Sequence, residues 1–420
     1  MNMSGAEMHR LASRLYPILR SITGRGVRET LQIIQEFIPL QIHFVPSGTQ
    51  VFDWVVPNEW NVSEAWIKDK LGNYVVDFKN HNLHLLQYSE PFSGWVAREE
   101  LEKHLYSLPD QPTLIPYKTS YYQKKWGFCI SEQHKKNLLD PEYEVHIHSK
   151  LTCGVLNYGE VLIPGSTIEE ILISTHVCHP SLANDNLSGI LVALNAALHF
   201  IANPTYYTIR FVFVPGTIGA ITWLAINQHT LTSIKHGLVV TGLGAGDAFN
   251  YKQSRSEKAI VDLVAELTLR ESGHPFHILP FTPYGYDERQ YNSPGIAMPV
   301  GCLMRTPHGT YPEYHTSADN LDFLKTAALE KSSLVLNQIL KNLSANRIYR
   351  NLSPFGEPQL GKRGLYTTDQ EENMAFLWIL NLSDGTHSLL DISLRSHILF
   401  SAIKIAAERL IAGGLLECVG

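Results

Sequence analysis

The second half of this 420-residue sequence alternates short apolar segments with helix-like ones, and this order constrains the fold more than any other feature. Predicted strands cover residues 171–175, 208–214, 236–240, 276–281 and 296–300. Predicted helices begin near residues 187 and 217 and cover 257–271 and 321–343. Strands that alternate with helices form a parallel sheet covered on both faces. The sequence therefore predicts an α/β fold whose mainly parallel sheet is sandwiched by helices.

The first 150 residues have a different texture. Apolar residues recur at helical spacing in 11–19 and 29–38, whereas from residue 51 onward short alternating or aromatic runs are separated by turns. This change predicts a small β-rich domain inserted at 51–149, so that the α/β domain comprises 1–50 and 150–345. The tryptophans of the insert are interpreted as its core: Trp54, Trp60 and Trp66.

The last segment, residues 346–420, has the order of a winged-helix domain. Helical patterns over 373–380, 388–395 and 399–412 are followed by the extended run G-L-L-E-C-V. From residue 351 onward, five Lys or Arg stand against eight Asp or Glu, a net charge of five minus eight, or -3. A duplex-binding domain is expected to be basic. This tail is therefore predicted to contact a protein partner or a second copy of the chain rather than nucleic acid.

Composition narrows the class of protein. A net charge of -6 and a pI near 6.3 argue against a protein that coats nucleic acid or anionic membrane. The five cysteines are scattered without CxxC spacing, which suits a reducing cytoplasm. The first residues lack a signal-peptide pattern, and the apolar helix at 190–201 is too short to span a bilayer. A cytoplasmic protein with no membrane attachment is expected.

Two polar clusters carry metal-binding chemistry. The run I-S-T-H-V-C-H-P-S-L-A-N-D-N-L-S-G over 173–189 places His176, His179 and Asp185 between an apolar strand and an apolar helix. The run Y-P-E-Y-H-T-S-A-D-N over 311–320 contains His315. A catalytic zinc takes three protein ligands and a water, and sites in parallel sheets lie at the carboxyl ends of strands. The clusters predict a zinc site, the alternative being a helix-capping Asp185 among ordinary loop histidines.

Longer motifs resemble a known family. The patterns L-Y-P-I-L-R-S-I-T-G-R-G-V-R-E-T-L, F-D-W-V-V-P-N-E-W, H-P-S-L-A-N-D-N-L-S-G and M-R-T-P-H-G-T-Y-P-E-Y-H-T-S-A-D-N-L-D-F are similar to a bacterial aminopeptidase-like family. That family is related to zinc exopeptidases of the leucyl aminopeptidase and aminopeptidase Y kind. The resemblance covers nearly the whole chain. It implies a zinc-exopeptidase fold with an inserted β domain and a winged-helix C-terminus.

The resemblance also implies roles for individual residues. His176 corresponds to the ligand after the first strand, Asp185 to the carboxylate that bridges two metals in dinuclear relatives, and His315 to the last ligand. Asp287, in Y-D-E-R-Q-Y, stands where relatives place an Asp that shapes the substrate site; a surface-turn Asp is the alternative. The neighbours of the site, Cys178 and His179, are candidates either for supporting the ligands or for replacing one of them.

The chain departs from active relatives at the position of the general base. After the strand ending F-V-F-V-P, those relatives have Pro-Glu-Thr-Ile-Gly, whereas this chain has Gly216 in place of the Glu. Thr217 and Thr241 stand where dinuclear relatives use further carboxylates, so one zinc ion at most is expected. The candidates for a substitute proton-transfer group are His179, Glu288 and Glu313.

The sequence thus predicts a zinc-dependent, aminopeptidase-like hydrolase that acts on a small peptide or aminoacyl amide, with zinc on His176, Asp185 and His315. Asp287 and Glu288 are its predicted catalytic residues. The alternative is a catalytically degenerate protein in which the zinc pocket holds a ligand and the tail contacts a protein partner, and Gly216 is its main support. No G-x-S-x-G or phosphate-loop motif favours a serine hydrolase or a nucleotide-binding protein.

Overall fold

The centre of the fold is an eight-stranded mixed sheet, seen in a computed structural model that describes residues 2–419. Its strands, numbered in chain order, are β1 (Gln41–Pro46), β2 (Val155–Ile163), β3 (Thr167–His176), β4 (Tyr207–Val214), β5 (Ile234–Val240), β6 (Phe249–Lys252), β7 (Phe276–Leu279) and β8 (Val300–Met304). They lie in the order β1-β2-β4-β3-β5-β8-β6-β7. The central strands β4, β3, β5 and β8 are parallel, and antiparallel pairs flank them. The predicted mainly parallel sheet is confirmed.

Helices cover both faces of this sheet. The long ones are Gly5–Leu15, Arg25–Gln35, Gly189–Ala202, Ile218–Ile226, Ile260–Glu271 and Thr326–Ala345. Successive residues of a strand point to opposite faces. Accordingly Ile171 and Ile173 of β3 join the core beneath one layer of helices, whereas Leu172 joins the core on the opposite face. The apolar runs of the central strands reflect burial on both sides.

The helix that follows β3 is unusually apolar. The segment Ala183–Ala202 has a mean hydropathy of 1.3 and is long enough to cross a membrane, but 78% of its apolar window is buried within the fold. The helix Gly189–Ala202 packs between the sheet and the helix Thr326–Ala345. A helix that is covered on most sides needs no polar face, so its composition reflects its place in the core.

The insert contains a four-stranded antiparallel sheet. Its strands, in spatial order, are Tyr74–Asp77, Glu59–Lys68, Glu142–Thr152 and Phe92–Ala97. Smaller elements complete the insert: Gln50–Val51, Trp54–Val55, Leu105–Tyr106, Phe128–Cys129 and the helices Arg98–Leu101 and Glu132–Lys136. Trp60 is buried as predicted, but Trp54 is 45% exposed and is not a core residue.

The tail forms a winged helix, as predicted. Three helices, Gln370–Leu382, Leu389–Ser396 and Phe400–Ala412, pack beside an antiparallel sheet of Ile348–Asn351, Asp384–Ser388 and Leu416–Cys418. Ser388 caps the middle helix by accepting a hydrogen bond from the backbone of Asp391. The amide of Phe400 donates to a carboxylate oxygen of Glu271, which ties the last helix to the α/β domain.

Several elements differ from their predicted positions, and the first helix, predicted over 11–19, is found at Gly5–Leu15. The strand predicted at 296–300 is found at Val300–Met304, because Pro299 has no N–H for the ladder and the apolar run continues beyond it. The helix predicted from residue 321 begins at Thr326, since the preceding residues form turns beside the site described below. The domain limits at residues 50, 149 and 345 stay predictions.

Candidate metal and active site

The predicted site residues meet at the carboxyl ends of the parallel strands. His176 is the last residue of β3, and Gly216 lies just beyond the end of β4. Asp185 belongs to the irregular turn Ala183–Ser188, which connects β3 to the next helix. Loops at this edge of an α/β sheet converge, which brings residues from distant parts of the chain together.

A carboxylate between two imidazoles forms the centre of the site. Oδ1 of Asp185 lies 2.9 Å from Nε2 of His176, and Oδ2 lies 3.1 Å from Nε2 of His315. The ring of His179 is 4.8 Å from that of His176 and 5.3 Å from that of His315, measured between centroids. The structure therefore brings the three predicted ligands together and adds His179 as a fourth member.

These four residues form what we call the His–Asp cluster: His176, His179, Asp185 and His315. Burial by itself would raise the pKa of Asp185, but the imidazoles, led by His179, outweigh it and hold that pKa well below its usual value. Burial lowers the pKa of His179 well below normal. The cluster thus offers an anionic carboxylate and a neutral imidazole, the protonation states in which these groups bind metals.

The cluster fits a metal ion. The ligand atoms of His176, His179 and Asp185 all lie within 4.8 Å of one another. Oδ2 of Asp185 and Nε2 of His315 are buried, and within residues 2–419 neither makes a hydrogen bond of good geometry. Buried polar atoms without partners are costly, and a shared cation would satisfy both. Imidazole nitrogens with a carboxylate oxygen are a ligand set that suits zinc.

Asp319 supports the turn that carries Asp185. Its two carboxylate oxygens accept hydrogen bonds from the backbone amides of Asn184, at 2.6 Å, and Asp185, at 2.9 Å. Burial raises the pKa of Asp319 to about 7. Asp319 was not predicted as a site residue, although it stands in the same polar run as His315, which was the available signal.

Arg20 supports the loop that carries His179. Its guanidinium, 1% exposed, donates through Nε to the carbonyl of His179 at 2.9 Å and through Nη1 to the carbonyl of Leu15 at 2.6 Å. Burial lowers the pKa of Arg20 to about 10, which leaves it charged at neutral pH. Arg20 stands in the first family motif, L-Y-P-I-L-R-S-I-T-G-R-G-V-R-E-T-L, but was not predicted to belong to the site.

Cys178 and Gly216 lie side by side next to the cluster. The amide of Gly216 donates to Sγ of Cys178 at 3.2 Å, and burial raises the pKa of the thiol to about 12. A protonated thiol is a poor metal ligand, so Cys178 fits a supporting role. A Cβ atom at position 216 would lie 3.3 Å from Cβ of His176. A side chain there would begin in contact with the cluster.

A cavity of about 610 Å³ opens onto the cluster. Its lining includes His176, His179 and His315, the aromatic residues Trp54, Tyr117, Tyr121, Tyr122, Tyr286 and Tyr314, and the polar residues Asp287 and Arg289. Tyrosine side chains from the insert therefore complete the wall of a pocket in the α/β domain. This role could not be read from the sequence, because it depends on how the insert folds back.

The two predicted catalytic carboxylates have different positions. Asp287 lines the cavity, and burial raises its pKa to about 7. The neighbouring Glu288 is 1% exposed, bonds Nζ of Lys252 at 2.8 Å and does not line the cavity. Glu313 is half-buried and is likewise not part of the lining. Only Asp287 of these three is placed to meet a substrate.

Comparison with known proteins agrees with this architecture. Residues 9–346 match the family described as "Domain of unknown function (DUF4910)", and residues 347–418 match a winged helix-turn-helix family. A Clostridium acetobutylicum protein named "Putative polysaccharide biosynthesis protein with aminopeptidase-like domain" is 44% identical over 422 residues, which cover 99% of this chain and 97% of that protein.

Solved structures give the same result. A crystal structure described as "putative peptidase" from Clostridium acetobutylicum has a TM-score of 0.95 at 44% identity, covering 99% of this chain and 96% of that one. BSAP, a zinc aminopeptidase from Bacillus subtilis, has a TM-score of 0.59 at 11% identity, covering 81% of this chain and 95% of that one, which shows a shared fold. The chain therefore belongs to the DUF4910 family, with an aminopeptidase-like domain followed by a winged helix.

Proposed function

We propose that this protein is a zinc-dependent hydrolase that cleaves a peptide or aminoacyl amide bond. The observation that carries the proposal is the convergence of His176, Asp185 and His315 at one end of a cavity large enough for a small peptide. Of these residues, the imidazoles and the carboxylate would hold one zinc ion, with His179 in reach as a further ligand. A zinc ion bound there would act as a Lewis acid and lower the pKa of a bound water.

Asp287 is the proposed proton acceptor. It lines the same cavity as Gly216, the position at which the sequence lacks the expected glutamate. A pKa of about 7 is close to the value at which a general base is most effective at neutral pH. Asp287 would take a proton during attack on the amide, while the aromatic walls orient the substrate and limit the access of water.

A second candidate function rests on Gly216 itself. No carboxylate occupies this position, so the pocket would hold a ligand without hydrolysing it efficiently. A positioned general base contributes about 10²- to 10⁴-fold to the rate. Without one, hydrolysis would be slower by that factor, as expected for a protein that binds its ligand without cleaving it. The proposed partner is then a protein, or a second copy of the chain, bound by the acidic winged helix. For both candidate functions we propose a cytoplasmic location and no role for nucleic acid or membrane.

Hydrolysis of a mixed peptide library by the purified full-length protein tests the proposal. Zinc-loaded and chelator-treated samples are compared by mass spectrometry. Removal of N-terminal residues by the zinc-loaded sample alone supports the hydrolase. Absence of cleavage by protein that carries stoichiometric zinc would contradict it and favour the binding protein.

A further inference from the structure

Arg289 is a cationic side chain in the cavity without an anionic partner. It lies on the short helix Glu288–Tyr291 and lines the cavity together with Gly216, Thr217 and Asp287. Its Nη2 donates to Oγ1 of Thr217 at 3.4 Å, a long bond, while its Nε is buried without a hydrogen-bond partner. Among residues 2–419, no carboxylate oxygen lies within 4.0 Å of this guanidinium.

Arg210, a buried arginine of β4, has anionic partners within the protein. Arg210 donates to Glu170 at 2.6 and 2.8 Å and to Glu160 at 2.6 Å, so its charge is neutralised within the protein. Glu288, next to Arg289 in the sequence, is already bonded to Lys252. Asp287 interacts with Arg289 only at longer range. Arg289 thus keeps donors and charge for a group that is not part of the chain.

Arg289 and the His–Asp cluster share one wall of the cavity. Gly216 packs against His176, and the next residue, Thr217, contacts Arg289. Both intervening residues are uncharged. The remaining lining is largely aromatic, and the hydroxyl of Tyr286 there is also buried without a hydrogen-bond partner. A ligand that spans this wall of the cavity would contact both the cluster and the guanidinium.

We infer that Arg289 is a specificity-determining residue that binds a carboxylate or phosphate group of the ligand, close to the group held by the His–Asp cluster. The planar guanidinium has several donors that match the oxygens of either anion, and its binding is strengthened in a partly buried site. This inference rests on the proposed function, in which the His–Asp cluster holds the reacting group of the substrate. It narrows the substrate class to amides that carry an acidic group near the bond to be cleaved.

Calorimetric titration of the chelator-treated, full-length protein tests the inference without requiring hydrolysis. The probes are N-acetyl-L-glutamate, inorganic phosphate and the uncharged N-acetyl-L-glutaminamide. The variants are Arg289→Gln, Arg289→Lys and, as a matched loss of one positive charge, Arg255→Gln, whose side chain is exposed outside the cavity. Circular dichroism confirms that each variant is folded.

The wild type is expected to bind at least one anion more tightly than the uncharged amide. Arg289→Gln weakens that binding by about 10- to 100-fold, as expected for lost hydrogen bonds to a charged group. Arg289→Lys weakens it less, and Arg255→Gln leaves it unchanged. The acetylglutamate and phosphate arms show which anion is preferred. Equal affinity in Arg289→Gln, equal affinity for the uncharged amide, or no anion binding at all would overturn the inference, whatever the outcome of the peptide-library experiment.

Discussion

Nε2 of His315 lies 3.1 Å from Oδ2 of Asp185, and both atoms are buried without a well-formed hydrogen bond in the described chain. The two residues come from separate polar runs of the sequence. Their approach joins the loop after β3 to the loop after β8 and creates a place for one cation. The metal-binding proposal depends on this pair.

Replacing His315 with Ala is expected to lower zinc affinity by at least about tenfold, because one of the proposed ligands is lost. Metal content after dialysis against limiting zinc, measured by mass spectrometry, checks this. His277→Ala removes an exposed histidine outside the site and serves as the control. Full zinc occupancy in His315→Ala would show that His315 is not a ligand.

Restoring a carboxylate beside the cluster is expected to increase turnover. In the Asp287→Asn protein, which lacks the proposed base, Gly216→Glu should raise kcat by about 10²- to 10⁴-fold. A Cβ atom at position 216 would lie 3.3 Å from Cβ of His176, so the new side chain can reach the His–Asp cluster. Gly216→Gln has the same shape without the charge and should give no gain. A folded, zinc-loaded double variant that is no faster than Asp287→Asn would show that a carboxylate at position 216 cannot act as the base.

The pH dependence of kcat/KM should report Asp287. Below pH 7 its carboxyl is largely protonated and cannot accept a proton, whereas above pH 7 it is ionised. Activity is therefore expected to rise with pH, with a midpoint near 7, and to level off above it. Asp287→Asn should lose most of the activity together with this rise. An unchanged pH profile in Asp287→Asn would remove Asp287 from the mechanism.

Arg20 is expected to stabilise the folded protein by holding the loop that carries His179. Arg20→Met leaves the carbonyl of His179 without this donor and that of Leu15 with the amide of Ile18 alone, and the unpaired acceptor costs about 1–3 kcal/mol. Urea unfolding of the metal-free protein measures the loss. Arg270→Met is the control, because its ion pair is on the surface and contributes about 0–1 kcal/mol. A loss no larger than that of the control would mean that the loop does not depend on Arg20.

The positions of strands that are buried on both faces could be predicted from the sequence. The strand predicted at 208–214 is found at Tyr207–Val214, because a strand buried on both faces is a nearly continuous apolar run, interrupted here by Thr208 and the ion-paired Arg210. The strand predicted at 296–300 is found at Val300–Met304, because an apolar run indicates that a strand is present but does not define where it begins and ends. Strand ends matter here because they position the site.

The site could be predicted only where ligand-type residues cluster along the chain. His176, Asp185 and His315 stood out in polar runs beside apolar strands, and the structure brings them together. The burial of Glu288 against Lys252 depends on a tertiary contact that local pattern does not reveal. The same is true of Arg289, because the sequence does not show that its guanidinium lies in the cavity without a carboxylate partner among the described residues.

The most direct test of the metal-binding claim is anomalous X-ray diffraction at the zinc absorption edge from crystals of the zinc-loaded protein. We predict one strong peak between Nε2 of His176, the carboxylate of Asp185 and Nε2 of His315. A peak elsewhere, or no peak in crystals whose protein binds zinc in solution, would contradict the account.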